Sequence, residues 1–281
     1  MDAKGALDVI RPVNCAMIGF AVVVGAFVSK PASIPDTQLA LGFLTGFFTC
    51  AYSMAINDIY DVEVDRVNRP DRPIPSGRIS VEGAKRLSLL ALAAGMACAL
   101  LSLNPLGVVI AAAYAFLSWV YSSKAKKTGL AGNLIVASSL AIPFVYGGAV
   151  VGGSITGSLL LMMALTAFFS GVGREVVKGM ADVEGDAKRD VNTIARSRGL
   201  AAASGVGALF FLLAVVTSWV PLATGLASPF YTFGVVLPDA IFIYLAVAIL
   251  YRHDAKNAHR VKSVALAGMT VGLLVFIGGA F

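Results

Sequence analysis

The sequence predicts an all-α membrane protein: a bundle of about nine transmembrane helices in a single domain, 1–281, with the N-terminus cytoplasmic and the C-terminus outside. Three observations predict it. Hydrophobic residues make up 58% of the chain and charged residues only 14%; soluble domains carry about 25% charged residues, so this supply cannot cover a water-facing surface. Apolar runs near the ~20 residues needed to cross a hydrocarbon core recur along the whole chain. The charge, finally, falls in short clusters between those runs.

Hydropathy places the spans at 12–29, 37–57, 83–103, 105–122, 132–152, 156–178, 199–220, 229–251 and 261–280. The segment Met1 to Arg11 is short and mixed in charge, and the run after it has the length of a span without a small-residue cleavage site, so it reads as the first helix and not as a signal peptide. Of the 22 Lys and Arg residues, Lys30 alone falls on the side opposite the N-terminus. That asymmetry orients the chain, because basic loops stay on the cytoplasmic side. The net charge of +6 is therefore a topology signal, and no nucleic-acid partner is expected. Cys15, Cys50 and Cys98 lie inside apolar runs without paired spacing and read as small core residues. The expected location is the cell membrane, multi-pass, with the charged segments and any site built from them facing the cytoplasm.

Two of those segments are acidic. The first reads Asn57-Asp58-Ile-Tyr-Asp61-Val-Glu63-Val-Asp65-Arg66-Val-Asn-Arg69-Pro70-Asp71-Arg72-Pro73. On a helix continuing past the membrane surface, Asp58, Asp61 and Asp65 share one face at i, i+3 and i+7. Three carboxylates on one stripe repel unless a cation lies between them. All-oxygen ligands suit Mg²⁺, which bridges a few carboxylates to substrate phosphates. Pro70 and Pro73 end the helix and stiffen a loop presenting Arg69 and Arg72.

The second segment places Arg174, Lys178, Asp182, Asp186 and Asp190 at successive i+4 steps, basic residues nearest the membrane and acidic ones beyond. A diphosphate held by cations at one end and by metal-bridged aspartates at the other fits this order. Mixed charge is also ordinary in a solvated loop. Nine of the 16 acidic residues, however (Asp58, Asp61, Glu63, Asp65, Asp71, Asp182, Glu184, Asp186 and Asp190), gather in these two segments on one predicted side, which a plain surface does not explain.

Here the chain resembles the UbiA superfamily of intramembrane prenyltransferases. The resemblance is carried by Asn57-Asp58-x-x-Asp61-x-x-x-Asp65, by Arg69-Pro70-x-Arg72-Pro73-Ile74-Pro75-Ser76-Gly77, by Asp182-x-x-Gly185-Asp186, and by Arg11-Pro12-Val13-Asn14 opening the first span. Within that superfamily it is most like the archaeal digeranylgeranylglyceryl phosphate synthases, through Arg66 to Ser80, Arg174-Glu175-x-x-Lys178, and Tyr121-Ser122 followed by Gly129-Leu130-x-Gly132-Asn133.

The resemblance implies transfer of a geranylgeranyl group from its diphosphate to the glycerol hydroxyl of geranylgeranylglyceryl phosphate. It implies Mg²⁺ on Asn57, Asp58, Asp61, Asp65, Asp182, Asp186 and Asp190, with the five described above as Asp58, Asp61, Asp65, Asp182 and Asp186 being catalytic. Substrate contacts are implied for Asn14, Asn57, Tyr121, Arg174, Lys178 and a lysine after Tyr121. Lys124, Lys126 and Lys127 compete for that last role, and counting back from Gly129 favours Lys126. Arg69 or Arg72 is expected to take the acceptor's phosphate, and an aspartate of the first segment is one candidate for the hydroxyl proton. An allylic cation favours aromatic faces and needs shelter from water; Tyr52, Tyr60, Tyr121, Phe144 and Tyr146 are candidates, with ordinary helix packing the plainer role for each.

Three weaker signals remain. Asp239 follows Pro238 in mid-span, where an ionisable group is costly; it marks a functional site, satisfies backbone freed by the proline, or stays protonated. His253 and His259 lack metal-ligand company and read as surface. The loop Arg252 to Lys262 is expected to meet anionic headgroups. The partners are thus an isoprenyl diphosphate, a lipid-phosphate or aromatic acceptor, and membrane lipids. An aromatic prenyltransferase acting on 4-hydroxybenzoate or another quinone precursor is the alternative within the family. An ion-coupled transporter would place its charges near the midplane, where only Asp239 sits, and a CDP-alcohol phosphotransferase would carry an Asp-Gly-x-x-Ala-Arg sequence absent here.

Overall fold

A computed structural model describes residues 2–29, 33–188 and 191–279, in which all regular structure is helical. Eight helices among these residues are long and apolar enough to cross a membrane, and nine spans result if one bent pair counts as a single span. That pair is α1 (Ala3–Ile10) and α2 (Pro12–Val28), set at 42°. The N-terminal segment is thus helical, where the sequence suggested only a short tail. Asp2 caps α1 by accepting from the N–H groups of Lys4 and Gly5; Arg11 ends it in the left-handed region at φ 52°. Pro12, which needs no N–H partner in a first turn, restarts the helix in a new direction.

The helices form two compact units. The first holds α1, most of α2, α3 (Asp36–Tyr60), α4 (Val62–Asn68), α5 (Val81–Leu101), α6 (Pro105–Ser123) and the last turns of α7 (Leu130–Val150). Ser80 caps α5 and Asn104 caps α6, each accepting from the N–H three residues on. Asn104 also donates to the carbonyl of Ala149 at 2.7 Å, tying α6 to the end of α7. Helix association in lipid depends on close packing of small residues. A Cβ on Gly147 would fall 1.9 Å from the Val22 carbonyl oxygen, so α2 and α7 meet there only because residue 147 has no side chain.

The second unit holds the start of α7, α8 (Ser158–Ala181), α9 (Val183–Lys188), α10 (Ile194–Ala223), α11 (Pro229–Gly234), α12 (Val236–Tyr251) and α13 (Ala255–Gly279). The α10 backbone breaks at Gly199, φ +86°, where the sequence placed the start of that span. Val172, Val176 and Val177 of α8, Phe211 of α10, Phe242, Leu245 and Ile249 of α12, and Ala258, Val261 and Ala265 of α13 share one buried cluster. The α13 members recur at i, i+3 and i+7, which turns one face of that helix onto the core.

Candidate functional site

The first acidic segment does not continue as one helix. It breaks at Asp61, which ends α3 and precedes α4. Asp58, before the break, and Asp65, after it, are nevertheless both buried, at 3% and 6% exposure. The cation between them is Arg72: its Nη1 donates to Asp65 Oδ2 at 2.7 Å and to Asp58 Oδ1 at 3.2 Å. Arg11 Nη2 donates to Asp58 Oδ1 at 2.5 Å. Two arginines therefore neutralise two carboxylates, and the stripe expected to hold three equivalent metal ligands is divided. Asp61 instead accepts from the Asn57 amide at 3.2 Å. One atom of the cluster is orphaned: Asp58 Oδ2 is buried with no hydrogen-bond partner.

Arg72 reaches inward because the loop that carries it is folded. Ser76 N–H bonds to the Arg72 carbonyl, Gly77 N–H to Ile74, and Ile79 N–H to Pro73. Gly77 sits at φ +77°, a conformation glycine adopts without a Cβ penalty. Pro73, Ile74 and Ile79 are buried, Ile74 and Ile79 clustering with Val9 and Ala55. Arg69 points the other way: it is 60% exposed, 4.0 Å from Asp71.

The second segment has the same local design. Helix α8 ends at Ala181, Asp182 occupies the break, and α9 follows. Asp61 N–H bonds to the Asn57 carbonyl and Asp182 N–H to that of Lys178; Asp65 N–H then bonds to Asp61 and Asp186 N–H to Asp182, both at 2.8 Å. Asp186, like Asp65, is buried. The shared pentapeptide Asp-Val-Glu-x-Asp, at 61–65 and 182–186, is a repeat that periodicity alone passed over. The evenly stepped stripe from 174 to 190 is accordingly interrupted at Asp182, and Asp190 lies outside the described residues.

Arg174 and Lys178 converge on Glu175, which the sequence reading quoted within a motif but gave no role. Arg174 Nη1 donates to Glu175 Oε1 at 2.7 Å and Lys178 Nζ to Oε2 at 2.9 Å. Glu175 is buried, so one carboxylate fixes two cations at the end of α8. Arg174 Nε is also buried and has no partner. Arg11, quoted only within the motif that opens the first span, is the other residue given no role; its pairing with Asp58 was not anticipated.

Among the three competing lysines, Lys126 is partly buried whereas Lys124 and Lys127 are exposed. It sits on a one-turn 3-10 helix, Ala125–Lys127, clamped to the segment that follows α9. Asn192 N–H bonds to the Lys127 carbonyl, and Gly129, at φ +64°, leaves room for the Asn192 carbonyl, 2.1 Å from where its Cβ would be. Tyr121 is half-buried on α6, and Asn14 is exposed on the first turn of α2.

Of the aromatic candidates, Tyr60 accepts from Trp119 Nε1 at 3.1 Å and Tyr52 packs beside Cys15 and Cys50. Phe144 stacks edge-on against Phe276, and Tyr146 is packed among Val22, Ala99 and Val150. Asp239 is bonded by a side chain of another helix: Ser218 Oγ lies 3.0 and 2.9 Å from its two oxygens, while Tyr231 OH donates to the Ser218 carbonyl. This polar node fastens α10 to α11 and α12. A cavity of about 660 Å³ lies elsewhere, lined by Arg252, Lys256, Asn257, His259 and Arg260.

Among the described residues no three acidic, histidine or cysteine side chains converge as a ready-made metal cage. The donors present are all hard oxygens, in pairs. That suits Mg²⁺, which takes one or two carboxylates and completes its shell with water and phosphate. The orphaned Asp58 Oδ2 is an acceptor waiting for such a charge.

A family model described as the UbiA prenyltransferase family matches residues 18–274. A relative from Archaeoglobus fulgidus named digeranylgeranylglyceryl phosphate synthase is 38% identical, over 99% of this chain and 96% of its own. A solved structure described as giving insight into digeranylgeranylglyceryl phosphate synthase in membranes superposes with a TM-score of 0.83 at 32% identity, covering 99% of this chain and 98% of that one. A UbiA homolog from Archaeoglobus fulgidus bound to DMAPP and Mg²⁺ shares the fold, with a TM-score of 0.68 at 19% identity over 96% and 98% of the two chains.

Proposed function

Since the chain belongs to the UbiA prenyltransferase family, we propose that it transfers a geranylgeranyl group from geranylgeranyl diphosphate to the glycerol hydroxyl of geranylgeranylglyceryl phosphate. The product carries the second ether bond of an archaeal-type membrane lipid. The observation that carries the choice of acceptor is the 38% identity, end to end, with a relative named for this reaction. The family match runs without interruption through both compact units, which supports treating residues 1–281 as one catalytic domain.

The residues make chemical sense of this reading. Mg²⁺, when bound, would supply the positive charge that makes diphosphate a leaving group from the allylic carbon. Asn57, Asp58, Asp61 and Asp65 in the first segment, with Asp182, Asp186 and Asp190 in the second, are the residues that would hold it. Lys126, Arg174 and Lys178 bind the non-bridging oxygens through charge-assisted hydrogen bonds, and Glu175 keeps the last two aimed. Arg72 is committed to Asp58 and Asp65, so Arg69 takes the acceptor's phosphate. Asn14 contacts substrate, and Tyr52, Tyr60 and Tyr121 offer the cation aromatic faces. The lysine and arginine distribution supports a site open to the cytoplasm, with the N-terminus inside and the C-terminus outside. The basic cavity at 252–260 rests against anionic headgroups.

The test is a competition. Purified protein with Mg²⁺ and geranylgeranyl diphosphate is offered geranylgeranylglyceryl phosphate and 4-hydroxybenzoate together, and the prenylated product is identified by mass. Prenylation of the glycerol lipid is expected; preference for the aromatic acid would overturn the choice of acceptor while leaving the transfer chemistry in place.

A further inference from the structure

On α13, Lys256, His259 and Arg260 are exposed, but Lys262 is turned away from them. Its side chain is only 18% exposed, and its Nζ lies 3.7 Å from Asp182 Oδ1. Helical register explains the difference. Ala258, Val261 and Ala265 are at 0–1% exposure in the core shared with α8, and residue 262 flanks that stripe. Its aliphatic stem therefore runs along apolar surface while the ammonium emerges at the Asp182 break, the arrangement long basic side chains favour.

We propose that Lys262 is a diphosphate-binding residue, parked on Asp182 until substrate arrives. The proposal rests on the functional reading above, in which Asp182 is a magnesium ligand. At 3.7 Å the ammonium is within Coulombic reach of the carboxylate but beyond a hydrogen bond, so the pair is not locked. Once Asp182 turns to a metal, a largely buried ammonium is left needing a new acceptor. A phosphate bound beside Asp182 would offer that acceptor, and the flexible lysine stem lets the ammonium turn to it. The last helix then supplies a cation to a site otherwise assigned to earlier parts of the chain.

The experiment measures binding to the full-length protein in detergent, without turnover. Mg²⁺ alone, then inorganic diphosphate at saturating Mg²⁺, are titrated into wild type, Lys262→Met, Lys262→Gln and Lys262→Arg, with thermal melting as a check on folding. Removing the cation that competes for Asp182 is expected to tighten Mg²⁺ binding about two- to fivefold, the range for a part-exposed ion pair. Diphosphate is expected to bind roughly tenfold or more weakly to Lys262→Met, as for loss of one charge-assisted hydrogen bond, and Lys262→Arg to restore most of that loss. Lys262→Gln keeps a polar tip of similar reach and serves if the methionine variant does not fold. Unchanged diphosphate affinity in a folded neutral variant overturns the proposal, even if melting falls, because a mere tether between α13 and α8 predicts that pattern. Wild-type protein that binds no diphosphate overturns the functional reading as well.

Discussion

Asp58 and Asp65, on opposite sides of a helix break, accept hydrogen bonds from the same nitrogen of Arg72, at 3.2 and 2.7 Å. Both carboxylates are buried and the Arg72 side chain is 22% exposed. The loop after α4 thereby closes back onto the two helices it follows.

Removing Arg72 leaves Asp65 charged, buried and without the guanidinium, while Asp58 keeps Arg11. Breaking one partner of a buried pair costs about 3 kcal/mol or more. Arg72→Gln is expected to lower the melting temperature by several degrees. Adding Asp65→Asn should recover part of the melting temperature, since no uncompensated charge remains, without recovering turnover. Recovery of turnover would show that Asp65 acts only through Arg72.

Chelation with EDTA is expected to abolish turnover reversibly, and Mg²⁺ to restore it. Asp61→Asn and Asp186→Asn should each lower kcat by roughly 100-fold or more, the scale of losing metal-borne charge stabilisation. The double variant should be little worse than either single one, because groups that act as a unit are not additive. Losses that multiply would show that the two acidic segments serve separate steps.

Gly129→Ala tests the clamp behind Lys126. The new methyl would lie 2.1 Å from the Asn192 carbonyl, on a backbone already at φ +64°. Strain of about 1–3 kcal/mol is expected from the backbone alone. The variant should melt lower and show a raised KM for the diphosphate, measured with acceptor saturating. A lowered melting temperature with unchanged KM would separate Lys126 from substrate binding.

Ser218→Ala leaves the buried Asp239 carboxyl without its hydroxyl, at a cost of about 1–3 kcal/mol. Melting temperature should fall while turnover per folded molecule is kept. Asp239→Asn, neutral and of the same shape, should keep both. Loss of turnover in that variant with melting intact would assign Asp239 a role beyond fastening α10 to α12.

Several features were legible in the sequence for one reason: they depend on neighbours along the chain. Span positions follow from runs of apolar residues. The break near Asp61 was less legible, because Asp58, Asp61 and Asp65 fit a continuous helix equally well. The role of Glu175 was not legible for the opposite reason: it sits between the two cations it holds, and adjacency in sequence did not suggest that both turn toward it.

By itself the sequence determined that the chain is a helical membrane protein with its carboxylates gathered in two segments, because hydropathy and charge placement are local, additive properties. Which charges are spent on each other was decided only in three dimensions. Arg72 returns to Asp58 across 14 residues and Lys262 approaches Asp182 from another helix, and such pairings follow from loop closure and helix register, which no local pattern encodes.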